Sequence, residues 1–438
     1  MGRDSDILVG LDLGTKKIAV AVAERAPENP DKAQIIGIGQ APSRGLRKGM
    51  IVNLDQAVSS VSDAIADAES MLSGIKISRA VVAFSGIDVK CHVLKGKISL
   101  GRSPRQIMAE DIERVIETAL SELQLPPSSC CLHSIPIKYA IDGNSGIDNP
   151  LEMTGIRLEV ELTALVIPIT VAQNVVNCVE KAGVSVVGLV LKPVAEALGT
   201  LSADERAMGA SLVAIGGGTT SVSIFSEGHM LHAAEIPVGG DHITNDISCV
   251  MKIPFAIAEE LKKDIDVDPK AETTETDGTL TVEHRGRKRE LGKEEVGEIM
   301  ASRLDELFAD SIVPSLKAIQ KAGLPTDVIL TGGVMMTQGI VPFADSYLGT
   351  SVRVGVPVLQ EEMQRGRNDC RYSAVSGIIV YLMERRKNPF AYVEAPMSIF
   401  KNIATGKSSK RMKGARRPSQ SPLKSFARNA RELFRELF

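Results

Sequence analysis

One pattern constrains this chain more than any other because it occurs twice: an apolar strand, a glycine turn carrying Thr, and a second apolar strand. GLDLGTKKIAV supplies one copy near the start and VAIGGGTTSVSIF the other near the middle. Residues 7–13 and 18–23 read as strands around Gly14-Thr15-Lys16-Lys17, and residues 211–215 and 221–225 as strands around Gly216-Gly217-Gly218-Thr219-Thr220. A turn that holds phosphate needs backbone N–H groups pointing inward and no side chain in the way, which glycine provides. The Thr hydroxyl adds a donor. A single such turn is common between strands. Two of them, with a third glycine turn after a strand in VILTGGVMMTQG, predict two similar α/β halves closing around a nucleotide.

Other elements follow from periodicity. Helices are expected at 54–73, 109–124, 171–182, 193–203 and 372–386, and a long helical segment at 293–321. Strands are expected at 80–84, 163–167, 186–191 and 327–330. The polar stretch 266–290 predicts a hairpin turning at Asp277-Gly278. Beyond about residue 396, Ser, Gly, Pro, Lys and Arg dominate and read as a flexible linker.

Length and composition narrow the class. The 438 residues suffice for roughly three domains of about 150 residues. No run approaches the ~20 apolar residues of a membrane-spanning helix. The amino-terminal MGRDSD is acidic, unlike a signal peptide, and Asp6 stands where a myristoylation motif needs Ser or Thr. None of the six cysteines forms a C-x-x-C pair, so a reducing cytosol fits better than a zinc site or disulfide framework. The net charge of −3 conceals a basic tail: residues 401–438 carry eleven Lys and Arg against Glu432 and Glu436. A basic tail on an acidic body points to an anionic surface, membrane or nucleic acid.

The paired loops resemble those of the actin, Hsp70 and hexokinase ATPase superfamily. By matching position, that resemblance implies Asp12, Gly14, Thr15 and Lys17 in the first phosphate loop, and Gly216, Gly217, Gly218 and Thr219 in the second. Gly332 and Gly333 would approach the adenosine. Glu259 and Lys262, in AIAEELKKD, fall where relatives contact the adenosine, although a solvated helix face fits them as well. The implied cofactors are ATP and Mg²⁺, the metal held by Asp12 through water. One departure matters: Ala214 stands where the first loop has Asp12. Phosphoryl transfer rests on positioning and charge neutralisation, so a missing carboxylate weakens turnover more than binding. The chain is built to hold nucleotide, with at most weak ATPase activity.

The segment 81–165 resembles the insertion of the FtsA family of bacterial cell-division proteins. Its motif runs His133, Pro136, Tyr139, Asp142, then Asn149 to Leu158 as NPLEMTGIRL. His133 itself reads as a packed histidine. Residues 236–263 and 371–381 resemble FtsA stretches too. The implied architecture is an α/β, actin-like duplicated ATPase fold with two halves around a nucleotide cleft. Residues 1–82 with 166–203 and 371–395 would form the first half, with 83–165 as the inserted subdomain. Residues 204–263 with 326–370 would form the second half and 264–325 its small subdomain. A basic linker, 396–421, would lead to a membrane-targeting amphipathic helix at 422–438. The implied partners are FtsZ, with Arg303 and Glu306 as contact residues on an otherwise ordinary charged helix, further copies of the chain in a filament, and other divisome proteins.

At helical spacing, Leu423, Phe426, Leu433, Phe434, Leu437 and Phe438 fall with two alanines within an arc of roughly 140°. Lys424, Arg428, Arg431 and Arg435 flank it. Such a helix lies in a lipid interface, here that of anionic inner-membrane lipids on the cytoplasmic face at the division site. Packing back on the body is the competing reading. A nucleic-acid partner is not expected, since a Phe-Leu stripe is wasted on phosphates. The alternative is a PilM-like actin-fold adaptor of a pilus or secretion assembly, against which the tail argues. A small-molecule kinase would keep the carboxylate that Ala214 replaces.

Overall fold

The computed structural model describes residues 7–26, 29–72, 74–86, 88–267, 279–284, 287–317, 327–349 and 352–401. Two five-stranded sheets repeat one plan. In the first, the central strand Ile7–Leu13 has antiparallel Lys17–Ala26 and then Asn29–Pro42 on one side. Parallel Arg79–Phe84 and then Ser185–Leu191 lie on the other. In the second, Ala210–Ile215 is central, with antiparallel Thr220–Ser226 and His229–Ile236 on one side. Parallel Val328–Thr331 and Val352–Val354 complete it. The equivalence reaches single residues. Asp12 pairs with Ala19 across its hairpin and Ala83 across the parallel ladder, as Ala214 pairs with Ser221 and Thr331.

The central strands read as continuous apolar runs because helices cover them. Helix Leu54–Met71 is capped by Asn53, whose side chain accepts from the Gln56 N–H at 3.1 Å, and it buries Ala57, Val61, Ala64, Ile65 and Ala68. Helix Lys192–Thr200 follows the last strand of the first sheet and reaches the second, where the Ser223 hydroxyl donates to Pro193 O at 2.8 Å. It crosses helix Ser373–Lys387 at two glycines. A Cβ on Gly199 would fall 1.9 Å from Ser373 O, and one on Gly377 1.6 Å from Ala195 O. The crossing fixes where the first turn of Lys192–Thr200 sits.

Between the two halves of the first sheet's sequence lies a third, antiparallel sheet. Its order is Asn144–Ile147, Ser129–Ile141, Arg157–Pro168 and Lys90–Ser99. Helix Ala109–Leu120 packs on it through Ile112, Val115, Ile116 and Ala119.

Three expectations need correction. The hairpin is Thr279–His284 with Arg287–Gly292, paired Thr279 to Gly292 and His284 to Arg287, so it lies beyond Asp277-Gly278, which is outside the described residues. Cross-strand Leu280 and Leu291 share a face, and burial of Leu291 sets that register. The long helix is interrupted: Lys293–Leu307 runs into a π turn at Phe308–Ile312 before Val313–Lys317. Pro314 lacks the N–H an unbroken ladder would use, and the wider turn precedes it. The body also continues past 396. Helix Ser398–Lys401 packs on Ile169–Lys181, with Phe400 buried, Gln173 Nε2 donating to Ile399 O at 3.3 Å and Lys401 Nζ 3.4 Å from Glu180. Among the described residues no helix is long and apolar enough to cross a membrane. The amphipathic tail, Leu423 to Phe438, lies outside the described residues.

Candidate functional site

Each glycine turn ends the central strand of its sheet, and the two turns face one another. A Cβ on Gly217 would fall 2.5 Å from Lys16 Cγ, and one on Gly218 would fall 2.5 Å from Thr15 Oγ1. A side chain at Gly217 or Gly218 would collide with the first turn in this arrangement. Behind the second turn stands the amino terminus of helix Gly240–Met251. The N–H groups of Gly240 and Asp241 donate to Gly216 O and Gly217 O at 2.9 and 2.7 Å. A Cβ on Gly239 would lie 2.6 Å from Gly216 O. These hydrogen bonds hold the second turn against the helix.

Lysines line the gap. Lys16 Nζ lies 2.5 Å from Asp241 Oδ1 and 3.4 Å from Glu259 Oε2. Lys262 is buried and donates to Gly240 O at 3.2 Å, Thr244 Oγ1 at 2.8 Å and Glu259 Oε2 at 2.9 Å. Burial lowers the Lys262 pKa against the pull of Glu259. Burial opposes charge on Glu259 too, but Lys262 and the Thr244 hydroxyl hold its pKa below the usual range. Glu259 and Lys262 therefore turn inward as one hydrogen-bonded unit with Thr244, not outward to solvent. Gly332, at φ +96°, brings its turn so close that a Cβ would meet Ile215 O at 2.4 Å, while Gly333 has open space beside it.

Lys17, placed by resemblance in the first loop, points elsewhere. Its ammonium donates to Arg371 O at 3.1 Å and stands over the Tyr372 ring. Burial pushes its pKa down to about 7, with Asp12 opposing. Lys16 is the residue that crosses the gap. His133 is fully buried, its Nε2 accepting from the Leu191 N–H at 3.1 Å. Arg303 Nε lies 2.5 Å from Asp246 Oδ2, and Nη1 pairs with Glu306, which ties helix Lys293–Leu307 to Gly240–Met251.

The floor of the gap holds Asp12, expected from the sequence, beside residues that sequence reasoning missed. Asp12, 6% exposed, lies 3.1 Å from Lys192 Nζ. Ser221 donates to Glu196 one turn along that helix, and the Gly86 N–H donates to Glu235 Oε2 at 2.6 Å. Burial raises the Glu196 pKa to about 8 and also raises that of Glu235. Nothing local in the sequence marks Lys192 or Glu196; only the helix crossing brings them here. Gly49, Ser85 and Thr219 also meet: Gly49 N–H donates to Thr15 Oγ1 at 3.2 Å, and Ser85 Oγ is 3.2 Å from Thr219 Oγ1. A readable signal existed for Gly239 and Gly240, a glycine pair opening a helix in PVGGDHIT.

The glycine cradle and the lysines suit a polyphosphate. The donor set does not suit a metal held by protein carboxylates. Asp12 is already neutralised by Lys192, Ala214 offers no oxygen, and among the described residues no group of three His, Cys, Asp or Glu is placed to bind a metal ion.

Known proteins share this fold and much of this sequence. Residues 211–377 match the family model "Cell division protein FtsA", and residues 86–166 match "SHS2 domain inserted in FTSA". The chain is 32% identical over 388 residues to the cell division protein FtsA of Pseudomonas aeruginosa, covering 88% of this chain and 91% of that one. Identity to the Bacillus subtilis FtsA is 32%, covering 81% and 80%, and to the Escherichia coli K12 FtsA 30%, covering 89% and 94%. Among solved structures, the PilM-PilN type IV pilus biogenesis complex superposes with a TM-score of 0.61 at 15% identity, covering 85% of this chain and 98% of that one. MreB5 of Spiroplasma citri bound to ADP superposes at 0.52 and 13% identity, covering 88% and 99%. The structural likenesses show an actin-like fold. With the inserted domain and the sequence identity to its curated relatives, the chain belongs to the FtsA family of cell-division proteins.

Proposed function

We propose that this cell-division protein binds ATP between its two glycine turns and uses the bound state to assemble with copies of itself. The observation that carries the reading is the face-to-face contact of Gly217 and Gly218 with Lys16 and Thr15, where a side chain has no room. The phosphates would lie against Gly14, Thr15 and Gly216–Thr219, with Lys16 and Lys262 as counter-charges. The adenosine would lie between Gly332-Gly333 and the helix carrying Glu259. MreB5 of the same fold carries ADP in its crystal structure, which supports a nucleotide here.

Turnover is slow on this reading, below about one per second, the low end for enzymes. Ala214 occupies the position equivalent to Asp12 and supplies nothing to orient a water. The role is that of an adaptor. The nucleotide-bound body joins FtsZ, with the Arg303–Glu306 surface as the contact, to the cytoplasmic face of the membrane at the division site. The tail helix inserts Phe426, Phe434 and Leu437 into anionic lipid.

Isothermal titration of ATP into the full chain and into Gly217→Val tests the cleft. The variant is expected to lose binding by about a hundredfold or more, since a branched side chain at Gly217 runs into Lys16 and disturbs the facing turns. Unchanged affinity in a variant with an unchanged circular-dichroism spectrum would remove the second turn from the site.

A further inference from the structure

The floor of the cleft departs from the pattern that the resemblance implies, and it does so at two residues together. Ala214 removes an oxygen from the second central strand at the position equivalent to Asp12. At the same level Lys192 brings an ammonium to within 3.1 Å of the remaining carboxylate, Asp12. The same Nζ is 3.6 Å from where a Gly14 side chain would begin, so it lies against the first phosphate turn and not merely behind it. Its position is rigid. Lys192 opens helix Lys192–Thr200, Pro193 fixes the first turn, and the glycine crossing with Ser373–Lys387 holds the helix.

The charge on Lys192 is supported from several sides. Asp12 lies 3.1 Å from its Nζ, and Glu196 follows it by one turn of the same helix. A divalent cation at Asp12 would have to displace an ammonium held by these acids, and would gain no second carboxylate from the other strand. An ammonium is a compact point charge with three donors, able to hold Asp12 and a phosphate oxygen at once.

We propose that the ammonium of Lys192 takes the place of the divalent cation in this cleft, so that a nucleoside triphosphate binds here through its phosphates without a metal. The proposal rests on the nucleotide reading of the cleft and adds to it a named cation. Metal in solution would then neutralise the free nucleotide but would not be needed to complete the site.

Titration of ATP into the full chain, once with excess Mg²⁺ and once with EDTA, tests the proposal. The wild type is expected to bind with dissociation constants within about threefold in the two buffers. Lys192→Met is expected to bind at least about tenfold more weakly in EDTA and to recover most of that loss in Mg²⁺, since the lost charge-assisted bond is replaced by the metal. Lys192→Arg, which keeps the charge, is expected to remain indifferent to the metal, and it serves if the Met variant fails to fold. Wild-type binding that appears in Mg²⁺ and vanishes in EDTA would overturn the role of Lys192 while leaving the cleft in place. No binding in either buffer would overturn the nucleotide reading and the proposal with it.

Discussion

Ala214 and Asp12 occupy one position in two copies of a sheet, yet only one carries a carboxylate. Ala214→Asp restores the pair and is expected to raise ATP turnover several-fold, about tenfold, while affinity changes less, because an oriented water contributes to the barrier more than to binding. Phosphate release under saturating nucleotide, set beside titration, separates the two effects; a variant that gained affinity alone would contradict the assignment. His133 offers a different test. Burial, helped by the nearby Arg385 charge, pushes its pKa down to about 3. An unfolded imidazole takes its proton near pH 6.5, so below that value the unfolded chain binds the additional proton and folding stability falls as pH is lowered. Thermal melts from pH 7.5 to 4.5 should therefore show a shallower loss in His133→Gln than in the wild type. An identical slope would mean that His133 titrates normally.

At the scale of elements, the two central strands and their turns were legible in sequence because glycine has few reasons to recur between apolar strands. Helix 54–71 was legible because its apolar positions recur at helical spacing. The register of the hairpin was not, because it is set by burial of Leu291 in the core. Lys192 was invisible because its place depends on a helix crossing made of Gly199 and Gly377, residues far apart in the chain. That crossing is itself testable. Gly377→Leu forces the helices apart and should cost about 3 kcal/mol or more, seen as a clear drop in melting temperature. A wild-type melt would mean the helices have slack that the 1.6 Å approach denies. The carboxy-terminal segment is tested separately. Removing residues 421–438 should leave a nucleotide-binding body that no longer sediments with anionic vesicles. Arg428→Glu with Arg431→Glu should weaken sedimentation and flatten its salt dependence, each base being worth about 1 kcal/mol near the surface. Vesicle binding by the truncated chain equal to that of the full chain would contradict the anchor.

At the scale of the whole molecule, the fold class was legible and the chemistry of the floor was not. Duplication, the inserted segment and the third glycine turn are sequence patterns. The pairing of Asp12 with Lys192 and the inward turn of Glu259, Thr244 and Lys262 are products of tertiary packing. Both sets converge on one claim: the two halves form a single site, contacted by one nucleotide from both sides. Hydrogen–deuterium exchange of the full chain with and without saturating ATP measures this most directly. ATP should protect amides at 14–17 and at 216–220 together, with 239–244 and 332–335 following at the same ligand concentration. Protection confined to one half, or none at either turn, would contradict a shared cleft.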